Sequence, residues 1–285
     1  SLSYGFQMVL IKYLSHRHQS TVKILWFTMA CSVPVLLGFY WITGPHQITG
    51  DFAPTLFFAL AGNLFAFYGY VRAIELADVS LVSPLLSLSP LFMLLTSWLM
   101  LSEFPDRSGL FGILAVTIGT YFLAKDPEKK GLEPFRALLA NRGVRWALIV
   151  SFVWSVTANI DKLAVRESTP IGYSFWFHAG FSLLFLPIYL YFRDSEPVDQ
   201  PGDVGMNPAP ILLLGLLGTG VLQALMSGSQ MYAIVQTDVA YIIAMKRAGM
   251  IVSVLAGGLI LGESNLGMRL FATCIVFLGL LGIIF

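Results

Sequence analysis

Apolar residues run along this chain in stretches of about twenty, separated by short polar turns, and they do not alternate with polar ones as they would in a half-buried strand. A bilayer-crossing helix needs about 20 mostly apolar residues. The pattern therefore predicts an all-α membrane protein of ten transmembrane helices, over 1–14, 24–43, 53–76, 79–101, 108–124, 145–164, 172–192, 209–235, 239–261 and 268–285. The chain opens at Ser1 already inside an apolar stretch, which implies residues ahead of the first helix. Two polar segments break the rhythm. Lys125 to Gly143 carries Lys125, Lys129, Lys130, Arg136 and Arg142 and contains one interfacial-helix candidate, Phe135 to Ala140. Arg193 to Pro208 is acidic and proline-rich and reads as a loop.

The basic interruption divides the chain into 1–124 and 145–285, joined by a polar linker at 125–144, and the two parts repeat each other. Ala73, Ile74, Asp78 and Val79 recur as Ala233, Ile234, Asp238 and Val239, each 160 residues on. Glu103, Leu110, Phe111 and Gly119 recur at the same spacing as Glu263, Leu270, Phe271 and Gly279. Shared apolar composition does not hold a constant offset over such a length, so the halves read as a duplication. Each unit holds five helices, an odd number, so the second crosses the membrane in the opposite sense, as in secondary transporters built from inverted repeats.

Composition narrows the class. The chain is 56% hydrophobic and 12% charged, with mean hydropathy +0.76, where a soluble domain carries about 25% charged residues. It is read as a multi-pass integral membrane protein of the cell (inner) membrane, monomer or homodimer, with the lipid bilayer as its surroundings. A net charge of +1 without a basic patch gives no reason to expect nucleic acid. Cys31 and Cys274 both fall in apolar runs, which suggests neither a disulfide framework nor a metal site. No His/Asp/Glu grouping supports an enzyme, and no fingerprint calls for a cofactor. Basic residues favour the loops after helices one, three, five, seven and nine, which puts the basic linker in the cytoplasm and both termini outside.

The candidate chemistry lies where polar residues interrupt hydrocarbon. In the span 239–261, Lys246 and Arg247 sit in an otherwise apolar run, while their counterparts in the first half, Leu86 and Ser87, carry no charge. A cation near the centre of a span costs roughly 3 kcal/mol on insertion scales and is a functional candidate by default. Arginine offers phosphate or carboxylate a bidentate fork and lysine a point charge; the alternative is that both snorkel to an interface. In the span 145–164, Ser155, Asn159 and Lys162 follow i, i+4, i+7 and share one face. In the span 209–235, Gln223, Ser227 and Gln230 do likewise, opposite Asn63 in the first half. Such stripes either line a cavity or bond helices to one another. His178, among Phe175, Trp176 and Phe177, and Tyr241, at the turn before the Lys-Arg pair, complete the candidate set. Pro84 and Pro90 predict a break that exposes Ser83 and Ser87 to a cavity, or else a static kink. Glu75, Asp78, Asp238, Glu103 and Glu263 all fall at helix ends or in turns, so no carboxylate is expected at mid-span and an anionic substrate is favoured over a cationic one. Gly257-Gly258, Gly279 and Gly282 read as close helix-packing sites.

The series Tyr68, Ala73, Asp78, Pro84, Pro90, Ser102-Glu103, echoed by Leu261-Gly262-Glu263, resembles the EamA domain of the drug/metabolite transporter superfamily. That family usually has glycine before the glutamate; the second half keeps it and the first half has Ser102 instead. Trp154-Ser155, Lys162 and Pro170 resemble the opening of the same domain, as do Tyr4-Gly5 and Lys12. The resemblance covers the whole chain. It implies a ten-helix transporter with a central substrate cavity between the repeats, a small-molecule substrate and cytoplasmic termini, in conflict with the charge count. The Lys246-Arg247 pair also resembles the anion site of plastid phosphate translocators in the same superfamily. The expectation is alternating access for a small anion, carrying phosphate or carboxylate, with amino-acid or other zwitterion export as the alternative and a non-transporting receptor or scaffold as the rival.

Overall fold

The structure is a computed structural model that describes residues 21–44, 47–77, 82, 85–124, 141–192, 209–247 and 266–284. Among these residues it is built of nine helices and contains no strand. They are α1 (Thr21–Ile42), α2 (Phe52–Leu76), α3 (Ser89–Leu101), α4 (Arg107–Ala124), α5 (Arg142–Arg166), α6 (Pro170–Phe192), α7 (Ala209–Ile234), α8 (Val239–Arg247) and α9 (Leu266–Ile284). The expected helix at 1–14, the interfacial candidate at 135–140, the loop at 193–208 and Gly257-Gly258 lie outside the described residues.

Local chemistry sets the helix starts. Asn141 is extended, and its Oδ1 accepts from the amides of Gly143 and Val144, so α5 begins at Arg142, ahead of the expected 145. Thr169 Oγ1 accepts from Gly172 N, and Pro170 takes the first helical position of α6, where its missing N–H goes unmissed. Asp106 Oδ1 accepts from Gly109 N at the start of α4. The expected helix at 79–101 is interrupted: Leu85-Leu86 are helical, Ser87-Leu88 form a turn, and α3 starts at Ser89 with Pro90 in its first turn. The chain is therefore broken just before Pro90, while Ser83 and Pro84 lie outside the described residues. The far end of α3 stops at Ser102, whose φ of 57° and ψ of 28° are left-handed. That backbone is the physical reason glycine suits the position.

Among the described residues four helices are long and apolar enough to cross a membrane, at Val22–Ile42, Phe52–Ala73, Arg142–Arg166 and Pro170–Leu190. Large apolar side chains face outward, among them Phe57, Leu183, Leu214 and Phe271, each more than half exposed, while Ser32, Ser155, Asn159 and Lys162 are buried. Water would reverse that distribution; hydrocarbon favours it.

The seams between helices use small residues. Gly112 and Gly279 face each other so closely that a Cβ on either would come within 2.7 Å of the other's carbonyl oxygen. Gly119 lies as close to Ala272 and Val276, so α4 and α9, equivalent helices of the two halves, pack backbone to backbone. Gly62, Gly69 and Gly143 give α2 and α5 the same close approach through Thr157, Val150 and Ala73. Helix α1 packs on α6, its repeat equivalent, and on α7. Gly279 and Gly282 act as the packing sites the sequence suggested, Gly282 lying against Ser108 and Gly112.

Candidate functional site

A cavity of about 300 Å³ opens between the two halves of the chain. The first half lines it with Leu25, Thr28 and Met29 of α1, Asn63 of α2, and Ser89 and Met93 of α3. The second half supplies Trp154, Thr157, Ala158 and Asp161 of α5, Gln223, Met226 and Gln230 of α7, and Ile243 and Lys246 of α8. On each helix these residues fall at i, i+3, i+4 or i+7, as one helical face requires. The lining is mixed: three amides, hydroxyls and two charges among methionines and a tryptophan.

Of the residues singled out from sequence, Asn63, Gln223, Gln230 and Lys246 line this cavity. Arg247 is the last described residue of α8, and its side chain lies outside what the structure describes. Lys246 is half-buried and interacts electrostatically with Asp161 and with His178.

Asp161, in the last two turns of α5, is a cavity-lining carboxylate that the sequence reading does not single out. It sits within α5, lines the cavity, and accepts a hydrogen bond at Oδ1 from the hydroxyl of Tyr173, a residue only 1% exposed. The signal was present in the sequence. Trp154, Thr157, Ala158 and Asp161 form their own i, i+3, i+4, i+7 stripe, one residue before the stripe Ser155, Asn159, Lys162 and about 100° around the helix.

The second stripe faces α3 and the end of the bundle. Asn159 Nδ2 donates to Thr96 Oγ1 at 3.0 Å and to Ser155 O at 2.8 Å, and Ser97 Oγ donates to Asn159 Oδ1 at 2.7 Å. Ser155 Oγ donates to Phe152 O. These are helix-to-helix and within-helix bonds, and neither residue lines the cavity.

Lys162, 3% exposed, is held by Glu103. Its Nζ lies 2.7 Å from Glu103 Oε1 and donates to Thr237 O at 2.7 Å. Arg166 Nη2 approaches the same Glu103 oxygen at 3.3 Å, and Glu103 Oε2 accepts from Val239 N, the first amide of α8, at 3.4 Å. One carboxylate of the first half thus holds the end of α5 and the start of α8, both in the second half, while Lys162 ties that end of α5 to the turn before α8. Beside it, Tyr241 Oη donates to Asp106 Oδ1 at 3.0 Å, and its ring packs on Gly109. Tyr241 belongs to this clasp and not to the cavity lining. Asp106 is held below the ordinary carboxylate range, chiefly by the Gly109 amide, with Tyr241 and Ser108 adding to the effect. Asp238, between α7 and α8, is pushed above that range by burial and by Glu103, against the pull of Lys162.

His178 stands behind the cavity. Its Nδ1 lies 2.7 Å from Ser174 O, which can only accept, so Nδ1 carries the proton and Nε2 accepts from Gln223 Nε2 at 3.1 Å. The imidazole thereby orients the amide that faces the cavity. Ser227 Oγ donates to Ser174 Oγ at 3.2 Å, and Ser87 is buried at the α3 break, while Ser89 reaches the lining.

An outward apolar surface, small-residue seams and a polar cavity shared by two repeated halves define a polytopic membrane protein with an internal solute-sized site. The sequence profile of the EamA-like transporter family matches residues 1–125 and again 141–285, and the chain belongs to that family of membrane transporters. Its expected partners are therefore a small-molecule substrate and membrane lipid. A search of curated protein sequences gave no match. Among solved structures 28 chains match. One, described only as a crystal structure of a protein, shares 17% identity at a TM-score of 0.70 over 99% of this chain and 95% of its own, a likeness of fold.

Proposed function

We propose that this protein is a secondary transporter of ten helices in two inverted repeats, spanning 1–124 and 145–285 about a linker, in the cell (inner) membrane. It moves a small metabolite bearing a phosphate or carboxylate by alternating access. The observation that carries the reading is Lys246: a cation without a charged counterpart in the first half, lining a cavity that both halves build. An acidic group arriving there offsets part of the cost of a charge in low dielectric, and so eases rocking of one repeat against the other. Arg247, adjacent in sequence, is assigned to the same site, and Gln223, oriented by His178, and Gln230 supply amide contacts.

The test is flux into liposomes containing the purified full chain. Lys246→Ala and Arg247→Ala are each expected to abolish uptake while leaving the thermal transition within a few degrees of wild type, and Lys246→Arg to restore part of it. Wild-type flux from either alanine variant would remove the claim.

A further inference from the structure

We infer that the groove where the start of α1 meets the ends of α2 and α6 is a lipid site, holding one phospholipid whose headgroup carries a primary ammonium beside its phosphate. The site is separate from the solute cavity and does not depend on what the protein carries.

The groove has a volume of about 460 Å³. Val22 of α1, Phe67 and Val71 of α2, and Phe185 and Ile188 of α6 make it apolar at one end. Phe185, 1% exposed, meets Phe67 edge-on at 4.6 Å and stacks on Phe181, so this end is a fixed aromatic surface. Tyr68, Arg72 and Glu75 follow i, i+4, i+7 and bring one polar face of α2 to the same groove. From Phe67 to Glu75 the helix rises about 12 Å, so the groove passes from hydrocarbon-like to charged over that height.

The charged end lies at a membrane face. The apolar span of α1 begins at Val22 and that of α2 ends at Ala73. Thr49, in the turn between them, donates its amide to Glu167 O, next to Arg166 of the Glu103 clasp. That turn is therefore on the clasp side, and the start of α1 and the end of α2 are on the other. So is the end of α6, which sets out just beyond Glu167. The groove thus joins two helices of the first half to one of the second at the face opposite the clasp.

The headgroup chemistry follows from one ion pair. Arg72 Nη1 donates to Glu75 Oε2 at 2.8 Å, with the two side chains 43% and 41% exposed. A pair so exposed holds itself weakly. Among the described residues, the other guanidinium N–H groups and Glu75 Oε1 make no hydrogen bond. Arginine takes phosphate oxygens through parallel N–H groups, and cationic pockets between spans near a membrane face take lipid headgroups. A phosphate bound there also meets Glu75, a like charge one turn along α2. An ammonium on a short ethylene arm from that phosphate removes the conflict, because it gives Glu75 an N–H donor. A trimethylammonium has no N–H to give, and a glycerol headgroup leaves Glu75 against the phosphate. Since about 12 Å is under half of the roughly 30 Å hydrocarbon thickness, the apolar end takes only the upper part of an acyl chain.

The experiment is native mass spectrometry of the purified full chain, stripped of lipid in detergent. It is titrated separately with phosphatidylethanolamine, phosphatidylcholine and phosphatidylglycerol of identical acyl chains. Wild type is expected to hold one phosphatidylethanolamine more tightly than either other lipid by about 10-fold, the effect of one charge-assisted hydrogen bond. Glu75→Gln is expected to bring the three affinities together, and Arg72→Gln to weaken all of them. Because the preference is a ratio within one variant, loss of folded protein does not imitate it. Phosphatidylethanolamine with a diazirine high on its acyl chain is expected to label 67–75 or 185–188. No retained lipid, equal retention of the three, a preference for either of the others, or an unchanged preference in Glu75→Gln would each overturn the site. Labelling confined to other segments would do the same, and would give the groove to another stretch of this chain or to a second copy. No arm reads flux, so failure here leaves the transport reading standing.

Discussion

Replacing Glu103 by Gln keeps the shape of the clasp and removes its charge, which isolates what the ion pair contributes. Lys162 is 3% exposed and Glu103 14%, so solvent screens the pair little. Breaking such a buried pair from one side costs about 3–5 kcal/mol, because the remaining charge is stranded. Here the low end applies, about 3 kcal/mol, since Thr237 O and the new amide oxygen still accept from Nζ. Arg166, half in solvent, adds less than about 1 kcal/mol. Lys162→Met strands the other partner, but Glu103 keeps Arg166 and the Val239 amide, so the loss is smaller, about 1–2 kcal/mol. The pair Glu103→Gln/Lys162→Met carries no stranded charge and is expected within about 1 kcal/mol of wild type. At roughly 2–3 °C per kcal/mol for a chain of this size, thermal transitions in detergent fall by about 6–9 °C for Glu103→Gln, less for Lys162→Met, and least for the double variant. The order is the readout. A Glu103→Gln transition equal to wild type, or a double variant less stable than both singles, would refute a buried ion pair that holds the two halves together.

Two further outcomes follow from the same end of the molecule. Ser102→Gly relieves a left-handed backbone that costs an ordinary residue about 1–2 kcal/mol, against about 0.4–1 kcal/mol lost to a freer unfolded chain. Relief wins, and the transition is expected to rise by a degree or two, with Ser102→Ala showing no gain; a fall for the glycine variant would contradict the strain. Asp238, with its proton affinity raised by burial first and Glu103 second, binds a proton more tightly folded than unfolded. Its favourable contribution is therefore present at low pH and lost as pH rises through the raised value. Asp238→Asn should stabilise the protein at pH 7.5 and by less as pH approaches 4, seen in paired thermal scans; an equal gain at both values would rule out titration of Asp238 as the cause.

Much of the scaffold was readable as pattern. Apolar length placed α1, α2, α4, α6, α7 and α9 within a few residues of their observed bounds, because in a membrane the same twenty residues must satisfy their own backbone and cover themselves with hydrocarbon. Lys246 was legible because the repeat offered its own control, Leu86. The cavity face of α5 was missed by one residue. Periodicity reveals that a face is polar without revealing what it meets, and in lipid the same serine or asparagine serves equally to bond a neighbouring helix or to meet a solute. Only the position of α3 against Ser155 and Asn159 separates the two uses. Asp161 is hard to see in the sequence because it adjoins Lys162, while its stripe partners Trp154, Thr157 and Ala158 carry no charge. Tyr241 bonds Asp106 across 135 residues, which no local pattern encodes.

The clasp at Glu103 has a bearing on speed. In a carrier that opens alternately to two sides, the bonds sealing one side are broken on every cycle, so the lifetime of the sealed state grows with their strength. Glu103 joins two segments of the opposite half through a single side chain, which makes that opening cooperative: Lys162 and Arg166 at the end of α5 and the first amide of α8 are released together or not at all. Variants selected for heat resistance through a tighter contact here would be slow carriers. A mildly weakened clasp, as in Lys162→Met, would trade shelf life for turnover.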